Sequence, residues 1–235
     1  MALDEKWRGL HRSRFGELPL DCGGAPAESS DPVLRDWSKK WTTPDQLRAE
    51  GYLDQFDLRA KRILHIGIGN SGLARRFHGH VREIVGTSLD EPELELARKL
   101  NYSNYRVVRH NKYSGSINEI SGRFDFIVEN NPTSACCCIR HLSELFHFLE
   151  SRLANGGQIV TDRVGLAWIP EGAHARWSFD FADLQAVASV AGFEAWKLDK
   201  DTYVLCRGAP PRPALGSRLR GSVRRIARRG LRGNP

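Results

Sequence analysis

The chain has 235 residues, of which 40% are hydrophobic and 27% charged, with a formal net charge of +7. That length suits one sizeable α/β domain with appendages rather than two ordinary domains. The composition is ordinary for a soluble globular protein, and no run approaches the roughly 18 consecutive apolar residues of a membrane span.

The charge is unevenly placed. Residues 209–235 hold eight arginines and no acid, leaving 27 basic against 28 acidic side chains in the rest, a net of −1. The N-terminal MALDEKWRGLHRSRF is charged throughout and lacks an apolar stretch of signal-peptide length, so a cytoplasmic location is expected. Five cysteines, three of them adjacent at Cys136-Cys137-Cys138, do not make a disulfide framework and fit reduced thiols. No CxxC pair and no Cys/His ladder of zinc spacing occurs, which argues against structural zinc, and the three adjacent cysteines read as packing residues.

In chain order, residues 1–19 predict a short helix around Trp7, Leu10 and Phe15, and Leu20 to Pro32 a loop by its Gly, Pro and Ser content. Residues 33–58 predict two short helices, carrying Val33, Leu34, Trp37 and Trp41 and then, after Thr43-Pro44-Asp45, Leu47, Tyr52, Leu53 and Phe56. Residues 1–58 thus form a helical cap, either a packing layer over a sheet or a lid over a ligand.

From residue 61 strands and helices alternate. Ile63–Ile66 is an apolar strand that runs into Gly67-Ile68-Gly69-Asn70-Ser71-Gly72, with a helix opening at Leu73. A glycine turn between strand and helix permits a tight bend, close approach of backbone to a nucleotide, and helix-on-strand packing. A second strand, Glu83–Thr87, precedes a helix from Pro92, and the third strand is Tyr105–Arg109. The fourth, Phe124–Val128, leads to a long helix from about Ser134 through Leu153, on which Ile139, Leu142, Leu145, Phe146 and Leu149 recur at helical spacing. Asn155-Gly156-Gly157 ends that helix before a fifth strand, Gln158–Thr161. A helix over 180–191 and a hairpin of Phe193–Leu198 with Thr202–Arg207 close the core. Such alternation requires a parallel sheet with helices on both faces.

Taken together, ILHIGIGNSG, EIVGTSLDEPELELAR, RFDFIVEN, LANGGQIVTD and AGFEAWKLDKDTYVLCR resemble a class I S-adenosylmethionine-dependent methyltransferase over roughly residues 60–207, within a core of 59–208. The resemblance implies a Rossmann-like seven-stranded sheet with its last strand antiparallel, and S-adenosylmethionine across the carboxyl ends of the first two strands. It assigns cofactor contacts to Gly67, Gly69, Asn70, Ser71, Gly72, Ser88, Leu89, Asp90, His110, Asn111 and Glu129. More narrowly, RFDFIVENNPTSACCCIRHLSELFHFLESRLANGGQIVTD is similar to sugar and natural-product O-methyltransferases related to cephalosporin-hydroxylase-type proteins. That group implies a divalent cation, Mg2+, held here by Glu129 and Asp162 beside the acceptor hydroxyl. The sequence departs from the pattern at His65, Ser88 and Asn130, where those proteins carry acids.

Methyl transfer to a hydroxyl needs orientation and a group to take the proton. The candidates are Asp162, Glu129 and His174; the structural alternatives are an ion pair of Asp162 with Arg163 and a solvated loop histidine. Trp168 and Trp177 either wall an acceptor site or belong to the core. The acceptor implied is a small molecule or glycan, with a catalytically degenerate binding protein as the alternative. Leu215, Leu219, Val223, Ile226 and Leu231, with arginines between them, approximate a basic amphipathic helix over 215–232. That segment reads as a solvated disordered tail, as a binder of an anionic membrane surface peripheral to the cytoplasm, or as a binder of nucleic acid to be methylated or of another acidic partner.

Overall fold

A computed structural model describes residues 3–26, 36–115 and 117–210. Seven strands form one sheet in the order β3-β2-β1-β4-β5-β7-β6. They are β1 Arg62–Ile66, β2 Glu83–Ser88, β3 Tyr105–Arg109, β4 Phe124–Glu129, β5 Leu153–Asp162, β6 Glu194–Lys197 and β7 Thr202–Cys206. The first five run parallel, β7 is antiparallel to β5, and β6 pairs antiparallel with β7. This is the seven-stranded Rossmann-like sheet that the sequence predicted, closing hairpin included.

The strands alternate between two apolar layers, because successive side chains in a strand point to opposite faces, except at the β4 register shift, where Phe124 and Phe126 fall in different layers. Leu64, Ile127, Ile159 and Leu205 face one cluster; Ile63, Phe126, Val128, Val160 and Val204 face the other. The first layer is covered by α5 (Ile139–Arg152), α7 (Phe181–Val190) and α1 (Glu5–Arg14). The second is covered by α2 (Pro44–Leu53) and α3 (Gly72–Phe77), while α4 (Glu91–Lys99) packs Leu94 and Ala97 against Ile68.

The predicted N-terminal cap is therefore divided. Asp4 caps α1 through the Trp7 amide, and Trp7 lies fully buried against Phe146, ring centroids 6.1 Å apart. Phe15 stacks on Phe179 at 4.9 Å. The first helix is thus a layer of the core. Residues 36–46 instead run along the carboxyl end of the sheet, and Trp37 and Trp41, in the segment left open between a packing layer and a lid, are 38% and 94% exposed.

Three boundaries move for physical reasons. The long helix begins at Ile139 rather than near Ser134, because Ala135 adopts φ 61° and Cys138 is extended, neither of which continues a helix. Asn155-Gly156-Gly157 lies inside β5, where the pairing jumps from Phe124↔Leu153 to Phe126↔Gln158 and the extra residues bulge out at Gly156, φ 70°. The loop after β5 contains a short helix, α6 (Arg163–Ala167). Val33, Leu34 and the tail with its 215–232 periodicity lie outside the described residues. Among the described residues no helix is long and apolar enough to cross a membrane.

Trp7→Ala is expected to destabilise the protein by about 3–5 kcal/mol, the cost of emptying a fully enclosed aromatic site. Urea denaturation measures it, and a loss under about 1 kcal/mol would detach α1 from the core.

Candidate functional site at the carboxyl ends of the strands

At the carboxyl ends of β1, β2 and β4 the sheet opens into a cavity of about 490 Å³, within the usual range of small-molecule sites. Its floor is the glycine loop. Gly67 and Gly69 take φ 74° and 49°, a left-handed conformation that side chains resist. The amides of Gly67 and Ile68 both donate to the Thr87 carbonyl, at 2.9 and 3.2 Å, which hangs the loop from β2. Gly72 is needed for space: a Cβ there would lie 2.5 Å from Thr42 Oγ1.

The loop is tied to the segment above it. Asn70 donates to the Lys40 carbonyl (2.8 Å) and Thr42 Oγ1 (3.1 Å), and its Oδ1 accepts from the Gly72 amide. Asn70 thus borders the cavity with its amide group engaged. Ser71, at φ 59°, is fully buried, bonds Tyr105 Oη at 3.2 Å and does not line the cavity, a correction to its assignment as a cofactor contact.

The second strand ends in an arrangement that the sequence did not disclose. Ser88 Oγ donates to Glu93 Oε2 at 2.7 Å, and the same oxygen accepts from the Gly69 amide at 3.2 Å; Glu93 Oε1 accepts from the Trp37 amide at 3.1 Å. The carboxylate beside Ser88 is thus Glu93, in the first turn of α4. Burial pushes the Glu93 carboxyl above its usual range, and the bonds from Ser88, Trp37 and Gly69 oppose that shift. Asp90 borders the cavity, and its Oδ1 caps α4 by accepting from the Glu93 amide at 3.1 Å. The EPELELAR periodicity marked Glu93 only as a helical residue, and its buried setting depends on the glycine loop folding over it.

Glu129 is at the tip of β4 as expected. Its Oε1 accepts from Lys112 Nζ at 3.2 Å and from the Asn131 amide at 2.9 Å, while its buried Oε2 has no protein partner. Thr87 Oγ1, His110 Nε2, Asn130 Oδ1 and Asn131 Oδ1 are likewise buried and unpartnered, and all border this cavity. Buried polar atoms are normally satisfied, so their gathering here marks a surface built for a polar ligand. A nucleoside-bearing cofactor fits that donor and acceptor set. Leu89 and Asn111 also border the cavity, beside His110.

Asp162 and His174 are elsewhere. Asp162 is fully buried, gripped by Arg48 at 2.7 and 2.8 Å, and accepts from the Val164 amide at 2.8 Å as the cap of α6. Its two oxygens are committed and it does not line the cavity, so the general-base reading and the ion pair with Arg163 are both corrected; Arg163 bonds Asp201 instead. Arg48 and the Val164 amide occupy the Asp162 oxygens, and neither Asp162 nor Glu129 belongs to a group of three or more potential metal ligands among the described residues. The donor set therefore does not fit Mg2+. His174 is exposed, accepts from the Arg176 amide at 3.1 Å and lies outside the cavity, which removes it as a base. Of the two tryptophans left open, Trp168 lines the cavity and Trp177 is core, stacked on Phe179.

His65 and His110 border the cavity, and burial pulls both imidazole pKa values down to about 4. Both are neutral at pH 7.

Because the folded pKa of each histidine is below the unfolded value of 6.5, the stabilisation is complete above pH 6.5 and is lost as pH falls toward 4. Each contributes a slope of up to about 1.4 kcal/mol per pH unit in that window. Urea titrations of His110→Gln should show a shallower slope than the parent; an unchanged slope would contradict neutral burial. Asp162→Asn, which leaves Arg48 half-paired, should cost about 2–3 kcal/mol, below the full penalty for a stranded buried charge since Arg48 is partly exposed. Its affinity for S-adenosylhomocysteine should be retained.

The sequence matches no protein-family model and no curated protein. Solved structures match by fold. The N-methyltransferase NodS from Bradyrhizobium japonicum, in complex with S-adenosyl-L-homocysteine, superposes with a TM-score of 0.51 at 13% identity, over 86% of this chain and 97% of that one. A TehB-like S-adenosylmethionine-dependent methyltransferase from Corynebacterium glutamicum gives 0.52 at 17% identity, over 67% and 85%. An amino pentose methyltransferase from Micromonospora echinaspora, with S-adenosylmethionine bound, gives 0.51 at 16% identity, over 72% and 92%. The strand order, the closing hairpin and these superpositions agree: the chain has the Rossmann-like fold of S-adenosylmethionine-dependent methyltransferases.

Proposed function

We propose that this protein transfers a methyl group from S-adenosylmethionine to a hydroxyl of a sugar or glycosylated small molecule. The observation that carries the reading is the cavity itself, where a left-handed glycine loop faces a set of buried, unpartnered polar atoms at the carboxyl ends of β1, β2 and β4. The amino pentose methyltransferase of the same fold supports the acceptor class, as do the indoles of Trp37, Trp41 and Trp168 around the mouth, since sugars stack on aromatic faces.

The bound cofactor would supply a sulfonium methyl; the chain supplies position and a proton acceptor. Gly67 and Gly69 let the backbone approach the ligand closely. Glu93, unlike Asp162, lines the cavity. Among the described residues its Oε2 is held by Ser88 and the Gly69 amide and its Oε1 by the Trp37 amide alone, so Oε1 keeps a lone pair for a ribose hydroxyl, a charge-assisted contact in place of an acid at Ser88. His110 and Leu89 flank the base. Glu129 accepts the acceptor's proton on Oε2 while Lys112 and the Asn131 amide hold Oε1, so the side chain keeps one orientation as its charge changes.

Isothermal titration with S-adenosylhomocysteine is the first test, and absence of binding at millimolar ligand would favour a catalytically degenerate binding protein. Glu93→Gln should weaken that binding about tenfold, since a hydrogen bond to a charged group is worth roughly 1.5–3 kcal/mol. Glu129→Gln should leave affinity nearly intact and lower the rate of methyl transfer to a glycoside panel by about 10²-fold or more, the usual weight of a positioned base.

A further inference from the structure

Outside the cavity, three of the five cysteines meet one histidine. Cys22 lies on the loop after α1, Cys137 and Cys138 immediately precede α5, and His141 is one turn into it. His141 Nδ1 lies 2.9 Å from Cys137 Sγ, 3.4 Å from Cys138 Sγ and 3.6 Å from Cys22 Sγ. Cys137 Sγ is 3.0 Å from Cys22 Sγ and 3.9 Å from Cys138 Sγ, and all four ligand atoms lie within 4.8 Å of one another. The imidazole is 1% exposed and, among the described residues, its Nε2 has no partner and its Nδ1 meets only sulfur.

We propose that Cys22, Cys137, Cys138 and His141 form a structural zinc site. Zinc bonds of about 2.3 Å to sulfur and about 2.0 Å to nitrogen put tetrahedral ligand atoms roughly 3.5–3.8 Å apart, which small side-chain rotations achieve from this arrangement. Three cysteines and one histidine are an established donor set for structural zinc. On binding, the three thiols release their protons to solvent and the imidazole coordinates in its neutral form; nothing is oxidised or reduced. Four protein ligands leave no open position, so the ion holds structure and does not activate a substrate.

The backbone is already arranged for this. The first two amides of α5, at Ile139 and Arg140, donate to the carbonyls of Pro19 and Leu20 at 3.0 Å each. Arg140 bonds Asp21 Oδ1 and the Gly24 carbonyl, both at 2.9 Å. These bonds set Cys22 beside the helix start without help from the thiols. Zinc would fasten α1 and its loop to the start of α5, directly after the segment bearing Asn131 and Ser134 that borders the cavity. The site escapes a search by spacing because one ligand is 115 residues from the next in sequence. It stands independently of the methyl-transfer reading.

The test is the metal content of the full-length chain, purified under reducing conditions from zinc-supplemented cells. One equivalent of zinc per chain is expected, falling at least severalfold in Cys22→Ser and Cys138→Ser and staying unchanged in Cys206→Ala. Should the serine variants not fold, cobalt titration of the zinc-depleted parent provides the second readout. Intense near-ultraviolet sulfur-to-cobalt bands with visible bands of tetrahedral cobalt support the site. Absence of zinc together with absence of these bands, bound iron in place of zinc, or a Cys22–Cys137 disulfide in the freshly purified chain would each overturn it.

Discussion

Burial of the sheet on both faces is the constraint on which the rest of the molecule depends. Ile63 and Leu64, Phe126 and Ile127, Val160 and Ile159 face opposite apolar layers, so the middle of each central strand is predominantly apolar, with Gln158, bonded to the Tyr52 hydroxyl, a buried exception. Polar chemistry is displaced to the strand ends. Thr87, Ser88, His110, Glu129, Asn130, Thr161 and Asp162 are all buried and all lie at or just beyond the carboxyl ends. The cavity is the necessary outcome: a row of polar groups at the edge of a dry sheet, roofed by the chain that precedes β1.

That roof decides what each group becomes. Glu129 and Asp162 end adjacent parallel strands and are equivalent as sequence, yet α2 brings Arg48 to Asp162 and α6 starts on it, which makes it a structural anchor. Lys112, from the loop after β3, engages only one oxygen of Glu129, a residue that borders the cavity, and leaves the other buried without a protein partner among the described residues. The same logic separates Ser88 from Glu93. Glu93, in the helix after β2, is brought to the glycine loop by the first helix turn, and the Ser88 hydroxyl and the Gly69 amide donate to it.

The N-terminal segment serves two ends of the architecture. Its helix α1 adds Trp7 and Phe15 to the core on the α5 side, whereas residues 37–46 border the cavity and Ala49, Tyr52 and Leu53 of α2 join the opposite layer. The loop between them carries Cys22 to the start of α5. The cavity is therefore coupled to both the sheet and the N-terminal segment, which pins loops that short hydrogen bonds alone would hold weakly.

Much of the fold was legible in the chain by itself, because strand alternation, helix periodicity and glycine turns are local patterns repeated every two to four residues. All seven strands and the nucleotide-type loop at Gly67–Gly72 follow from them, as does Glu129 at a strand end. What only the tertiary structure decided is which side chains meet: Arg48 with Asp162 across 114 residues, Glu93 with Gly69 across 24, Cys22 with Cys137 across 115. Those meetings turned one expected base into an anchor, placed His174 at the surface, and gathered thiols that had read as packing. Distant partners leave no periodic trace, since a side chain's chemistry is set by the neighbours that folding brings to it and not by its neighbours along the chain.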